Sequence, residues 1–205
     1  MYFSTFLLFP TLALVFVSAY TPLQHPFTEI QPNTMTKTIH NGRYKIWRSP
    51  EQHQLIVTMN GANSMAVLGR PDQLEDGETG IWILTITPSD PSSPSIASES
   101  AVSATLQHEG TKAYLALHDP AHPGQGANIY VKSDDKQVWT INPASTTGDG
   151  GDDKNEYHIG YPDLVDGQVL VVDNSFARSF PPRLALQPLG NVDQIGLPWR
   201  FEPIA

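Results

Sequence analysis

Ile81-Trp82-Ile83-Leu84, Val138-Trp139-Thr140-Ile141 and Pro198-Trp199-Arg200-Phe201 are three versions of one short pattern. The tryptophans stand 57 and 60 residues apart. In each version the residue two places after Trp is apolar: Leu84, Ile141 and Phe201. Side chains of a strand alternate between its faces, so this spacing puts Trp and its apolar follower on one face. A proline closes each stretch, at Pro88, Pro143 and Pro203. Proline ends a strand because it has no N–H to give to the ladder. A self-similar period of this length marks a chain built from copies of one supersecondary unit.

Three more apolar alternations precede each Trp. The first strands are Tyr44-x-Ile46, Val102-x-Ala104-x-Leu106 and Tyr157-x-Ile159. The second are Leu55-x-Val57, Leu115-x-Leu117 and Leu170-x-Val172. The third are Val67 with its flanks, Ile129-x-Val131 and Leu184-x-Leu186. Turn formers separate them at Asn60-Gly61, at Pro123 to Gly126 and from Asn174 to Pro182. A Ser/Pro stretch from Pro88 to Ser100 and a Thr/Gly/Asp stretch from Pro143 to Glu156 read as surface linkers between units. The expectation is an all-β domain over residues 42–205, with about twelve strands and pseudo-threefold symmetry. One unit cannot bury both faces of its own hairpins, so the three must close around a common axis. Closure also removes exposed sheet edges. The three Trp then belong to the barrel core. A two-sheet sandwich leaves the period unexplained.

The chain's 205 residues hold 15 Gly and 18 Pro, a turn-rich composition that suits many short strands. Residues 1–19 read as a signal peptide. Phe6 to Val17 is almost wholly apolar, and Val17-Ser18-Ala19 offers small residues at the cleavage position before Tyr20. The run is shorter than the roughly 20 residues a membrane helix needs. A secreted, extracellular protein is therefore expected, with no membrane contact after processing. Residues 20–41 show no clean period and read as an extended arm. Cysteine is absent, so thiol chemistry is excluded and the core alone holds the domain. The formal charge of −9 repels phosphate backbones and anionic lipids. Nucleic acid is thus not an expected partner.

Threefold units ending in Trp-x-apolar resemble the β-trefoil superfamily. Gln137-Val138-Trp139 reproduces the Gln-x-Trp signature of ricin B-like lectin domains. Leu115 to Ile141 resembles one such unit, with Gly126-Ala127-Asn128-Ile129 opening its third strand. Copies one and three carry Gly80-Ile81-Trp82 and Leu197-Pro198-Trp199 instead. The chain is also similar to fungal β-trefoil peptidase inhibitors of the cospin-like group. These share the Tyr-x-Ile opening and Trp-x-apolar closing strands and lack cysteine. Such inhibitors commonly lack signal peptides, which favours the lectin resemblance.

The lectin resemblance implies a glycan partner; the inhibitor resemblance implies a protease. In ricin-like units a carboxylate follows the second strand and an amide follows the third. Copy three fits best, with Asp173 after Val171-Val172 and Asn191 after Leu184-Ala185-Leu186. In copy two Asp119 and Gln137 are the candidates, while Ala116 stands where the family places its Asp. Copy one has no carboxylate near Leu55-Ile56-Val57 and is expected to be sugar-silent. A carboxylate can accept from neighbouring hydroxyls and an amide can both donate and accept. Turn chemistry alone also explains Asp173-Asn174-Ser175.

Trp47 lies on the face of its strand opposite Ile46 and is either an exposed stacking ring or a barrel-side hydrophobic. His118 and His122 flank Pro120, which denies the helix that would pair them on a metal. The acidic stretch from Asp149 to Glu156 misses the calcium-loop spacing. No nucleophile elbow, phosphate loop or His-Glu-x-x-His motif occurs. A binding protein without cofactor or metal is therefore expected, not an enzyme.

Overall fold

The computed structural model describes residues 38–49, 54–74, 80–87, 101–144, 155–190 and 196–205, all within the compact unit Thr36–Ala205. The signal segment 1–19, most of the arm 20–41, the stretch from Pro88 to Ser100, most of the Pro143 to Glu156 stretch, and Asn191 lie outside the described residues.

Twelve strands occur among the described residues, four to a repeat. Repeat one holds β1 (Gly42–Ser49), β2 (Gln54–Thr58), β3 (Ser64–Gly69) and β4 (Ile81–Ile86). Repeat two holds β5 (Val102–His108), β6 (Tyr114–Leu117), β7 (Ile129–Lys132) and β8 (Trp139–Pro143). Repeat three holds β9 (Glu156–Gly160), β10 (Leu170–Asn174), β11 (Leu184–Pro188) and β12 (Trp199–Ile204). A single turn of 3-10 helix, Pro71–Gln73, follows β3.

The first and last strands of the repeats form a ring. β1 pairs with β4, β4 with β5, β5 with β8, β8 with β9, β9 with β12 and β12 with β1, all antiparallel. The ring leaves none of these six strands with an open edge. The middle strands form three hairpins, β2–β3, β6–β7 and β10–β11. Their third strands meet in a closed triangle. Val67 bridges Arg183, Tyr130 pairs with Met65, and Asn128 bridges Ala185. This is the β-trefoil architecture.

The tryptophans report the symmetry most directly. All three are 0% exposed. Each indole N–H donates to a carbonyl of its own repeat's second strand. Trp82 reaches Ile56 at 2.9 Å, Trp139 reaches Leu115 at 2.8 Å and Trp199 reaches Val172 at 2.8 Å. A buried indole N–H without such a partner would cost about 1–3 kcal/mol. One layer below, Leu84 faces Leu106, Ile141 faces Ile159 and Phe201 faces Ile46 across the strand pairs. Tyr44 and Tyr157 pack edge-on against Phe201, at 5.8 and 5.5 Å between centroids.

One register differs from the sequence reading. In repeat one the core-facing residues are Ile56, Ala66 and Leu68. Leu55, Val57 and Val67 form a second apolar cluster, with Trp47, Met65 and Leu74 packed on it. Both faces of this hairpin are apolar, so period-2 alternation alone cannot choose between them. The end of the arm is part of the packing. Ile39 is buried in the core, and the Asn41 side-chain oxygen accepts from the Ile86 N–H at 2.6 Å.

Candidate functional site

Each hairpin has an outer face, made by the residues whose neighbours point into the core. The Trp-bonded carbonyls fix which positions correspond. Ile56, Leu115 and Val172 are equivalent, and each is paired across its hairpin with Leu68, Val131 and Leu186 respectively. The outer positions are therefore Leu55, Val57, Val67 and Gly69 in repeat one. They are Tyr114, Ala116, Tyr130 and Lys132 in repeat two, and Val171, Asp173, Ala185 and Gln187 in repeat three. Three copies of one scaffold thus carry three different chemistries.

In repeat three the outer face is filled from within. Asp173 is only 2% exposed. Its Oδ1 receives the Arg48 guanidinium and the Asn174 N–H, the latter at 2.5 Å. Its Oδ2 accepts from the Gly196 N–H at 2.5 Å. Arg48 comes from β1, donates its other branch to the Leu197 carbonyl at 2.7 Å, and lies 5.0 Å from the centre of the Trp199 ring. Burial pushes the Arg48 pKa down, and the Asp173 charge opposes that shift. His158 sits close enough to feel both charges. Its pKa is lowered, first by burial and then by Arg48, with Asp173 acting against them. Asp173 was expected as a surface acceptor for sugar hydroxyls. The structure instead commits it to an internal ion pair, because Arg48 and the Gly196 segment cover the face on which a ligand would sit. A carboxylate so buried and engaged is not available to a ligand. Asn191, its expected partner, lies outside the described residues.

Repeat two keeps an open polar and aromatic face. The His118 ring stacks on Tyr130, with centroids 4.4 Å apart and planes 29° apart. His118 is exposed and Tyr130 half-buried, so the imidazole is the outer plate of the stack. The Lys132 ammonium donates to the Asp135 carboxylate at 3.1 Å and to the His118 carbonyl at 3.5 Å. It thus ties the β6–β7 loop to the turn that leads into β8. Lys136 lies over the Tyr114 ring at 5.5 Å.

Asp119 is exposed on the β6–β7 loop. One oxygen meets His122 Nδ1 at 2.8 Å, and the other accepts from the Ala121 N–H at 3.1 Å. The His122 bond, then the Ala121 bond, holds its carboxyl below the usual range. A carboxylate has about four acceptor positions, so two remain for a ligand. Gln137 is half-buried beside Trp139, and its amide donates to the Val138 carbonyl at 3.3 Å.

Repeat one offers an apolar face. Trp47 belongs to it as a barrel-side residue, resting on the Leu55, Val57 and Val67 cluster. Its indole donates to Glu202 at 2.6 Å, and the Lys45 ammonium lies 5.9 Å from its ring centre.

The expected residues are therefore dispersed. Asp119 and Gln137 lie in repeat two, on segments joined through Lys132 and Asp135. Asp173 lies inside repeat three. Tyr130, His118 and Lys132 join Asp119 and Gln137 in repeat two, outside the set of contacts expected from the sequence. A signal for Tyr130 was present, since it sits between inward Ile129 and Val131 and must face outward. Arg48 carried a signal too. It is two residues after Ile46 on one strand, and therefore points inward, where a lone cation needs a partner.

No protein-family model matches the chain, and no curated protein matches it in sequence. Solved structures do match in shape. The Rhizoctonia solani agglutinin superposes with a TM-score of 0.57 at 13% identity, covering 82% of this chain and 99% of that one. ThreeFoil, a designed threefold-symmetric protein, gives 0.55 at 13% identity, covering 80% and 100%. A mosquitocidal holotoxin gives 0.51 at 13% identity, covering 82% of this chain but 18% of that one. These are β-trefoil proteins. At this identity the likeness is one of fold, and the fold of this chain is the β-trefoil.

Proposed function

We propose that this chain is an exported carbohydrate-binding β-trefoil that engages glycan through the outer face of repeat two. The observation that carries the reading is the exposed His118–Tyr130 stack beside Asp119 and the Lys132–Asp135 pair. A pyranose has one apolar face and a rim of hydroxyls. A flat ring plate takes the first, and carboxylates and an ammonium take the second. Shallow sites of this kind bury little area, so weak binding per site is the natural consequence. The likeness in fold to a protein named as an agglutinin supports the same reading. Export rests on the signal-like residues 1–19 and predicts a mature chain starting near Tyr20, readable by N-terminal sequencing of secreted material.

The test is retention on a glycan array of the wild type and of Tyr130→Ala and Asp119→Ala. Both variants should lose retention about five-fold or more, because each removes a contact worth about 1–3 kcal/mol. Retention unchanged in both would remove repeat two from consideration. Inhibition of a serine or cysteine protease by a wild type that binds no glycan would replace the reading with the inhibitor alternative.

A further inference from the structure

Repeat one carries a cleft of roughly 660 Å³ at its boundary with repeat three. Its floor is Val57, Val67 and Leu74, and one wall is Phe180 with Pro181 from the β10–β11 loop. The cleft exists because the Leu68 N–H bonds the Pro182 carbonyl at 2.8 Å and Val67 bridges Arg183. These contacts bring the repeat-three loop alongside the repeat-one hairpin. Gly69 leaves the floor open, since even a Cβ there would stand 2.6 Å from a Val57 methyl.

Two features of this cleft decide its chemistry. Val57 occupies the position that Asp173 holds in repeat three. Among the described residues no carboxylate lines the cleft, so none of them supplies the paired acceptor a sugar needs. The floor and the Phe180–Pro181 wall are instead apolar, and Phe180 is 89% exposed, a ring left in water at the mouth. Among the described residues the charged one at the cleft is Arg70, which is exposed and in no ion pair there. A cavity of several hundred Å³ with an apolar floor and a few placed polar groups, here Thr58, Asn60 and Arg70, is the usual form of a small-molecule site. In a chain of net charge −9, a lone cation at such a mouth selects for anions locally where the molecule as a whole repels them.

We propose that this cleft binds a small amphipathic anion: a compact aromatic or branched aliphatic body in the apolar floor, with a single carboxylate or sulfonate at Arg70. The site differs in place and ligand class from the repeat-two face and does not depend on it.

Two fluorescent probes test this on the folded full chain at neutral pH. Anilinonaphthalene sulfonate has the apolar body and the anion; phenylnaphthylamine has the body alone. Both should bind saturably at one site, with shifts in the Val57, Val67 and Leu74 methyl resonances. Phe180→Ala should weaken both about ten-fold, the effect of losing part of a buried aromatic face. Arg70→Ala should weaken the sulfonate about three- to five-fold, the size of one exposed charge contact, and leave the neutral probe unchanged. Both side chains are exposed, so neither variant should move the melting temperature. Absence of saturable binding overturns the proposal. So do shifts confined to other residues, insensitivity to Phe180→Ala, or an equal loss of both probes in Arg70→Ala.

Discussion

Arg48 and Asp173 are separated by 125 residues in sequence and meet where repeats one and three join. Both are nearly out of solvent, so each is tolerable only because the other is there. Removing one partner leaves a buried charge, which costs about 3–5 kcal/mol, whereas removing both leaves none. Asp173→Ala should therefore lower unfolding free energy by about that amount in urea titration, and Arg48→Leu with Asp173→Leu together should recover part of it. Glycan retention by Asp173→Ala, measured below its melt, should persist. A loss of retention without a stability change would reverse the assignment.

His108 and His158 belong to the same scale. His108 Nδ1 lies 3.3 Å from the Thr111 N–H, which can only donate, so the ring there is a neutral acceptor. Burial is the leading cause that lowers both pKa values. The unfolded chain thus takes up protons at about 6.5, before the folded one does. Stability is complete above that value and falls as pH drops from it toward the lowered folded values. Melts at pH 7.5 and 5.0 should show the loss. His158→Gln should flatten it by up to about 1.4 kcal/mol per pH unit, one proton's share.

At the scale of elements, the three hairpins separate what a sequence states from what it withholds. The Trp strands were legible because each combines a rare residue and a fixed two-residue offset; the proline is a looser marker, since Pro203 lies inside β12, opposite Tyr44, instead of ending it. The barrel followed from repetition, since three identical demands for burial have one common solution. The outer faces were less legible. In repeat one Leu55 and Val57 alternate as cleanly as a core pair would, yet Ile56 faces the core. The information lies in the partner strand, where Gly69 and Val67 complete a second apolar layer. In repeat three an Asp after the second strand has the same local sequence whether it faces water or an arginine. Only the closure of β12 on β1 brings Arg48 over it. Residue type marked the position correctly, and topology decided its use.

At the scale of the molecule, the shared fold does not imply three shared sites. A symmetric trefoil with three equal faces can cross-link glycans, because linked sites raise avidity far above the single-site affinity. Here repeat three is closed by its ion pair, and no carboxylate among the described residues lines the outer face of repeat one. Only repeat two presents an exposed ring stack beside free acceptors among the described residues. One chain should then hold one glycan. Calorimetric titration with a glycan that the wild type retains should give a stoichiometry near one, and the monomer should neither precipitate a multivalent glycoprotein nor agglutinate cells. Fusing two copies through a flexible linker should restore agglutination, and placing Tyr130→Ala in one copy of that fusion should abolish it again. A stoichiometry of two or three, or agglutination by the monomer, would mean that a second repeat binds despite its closed or apolar face.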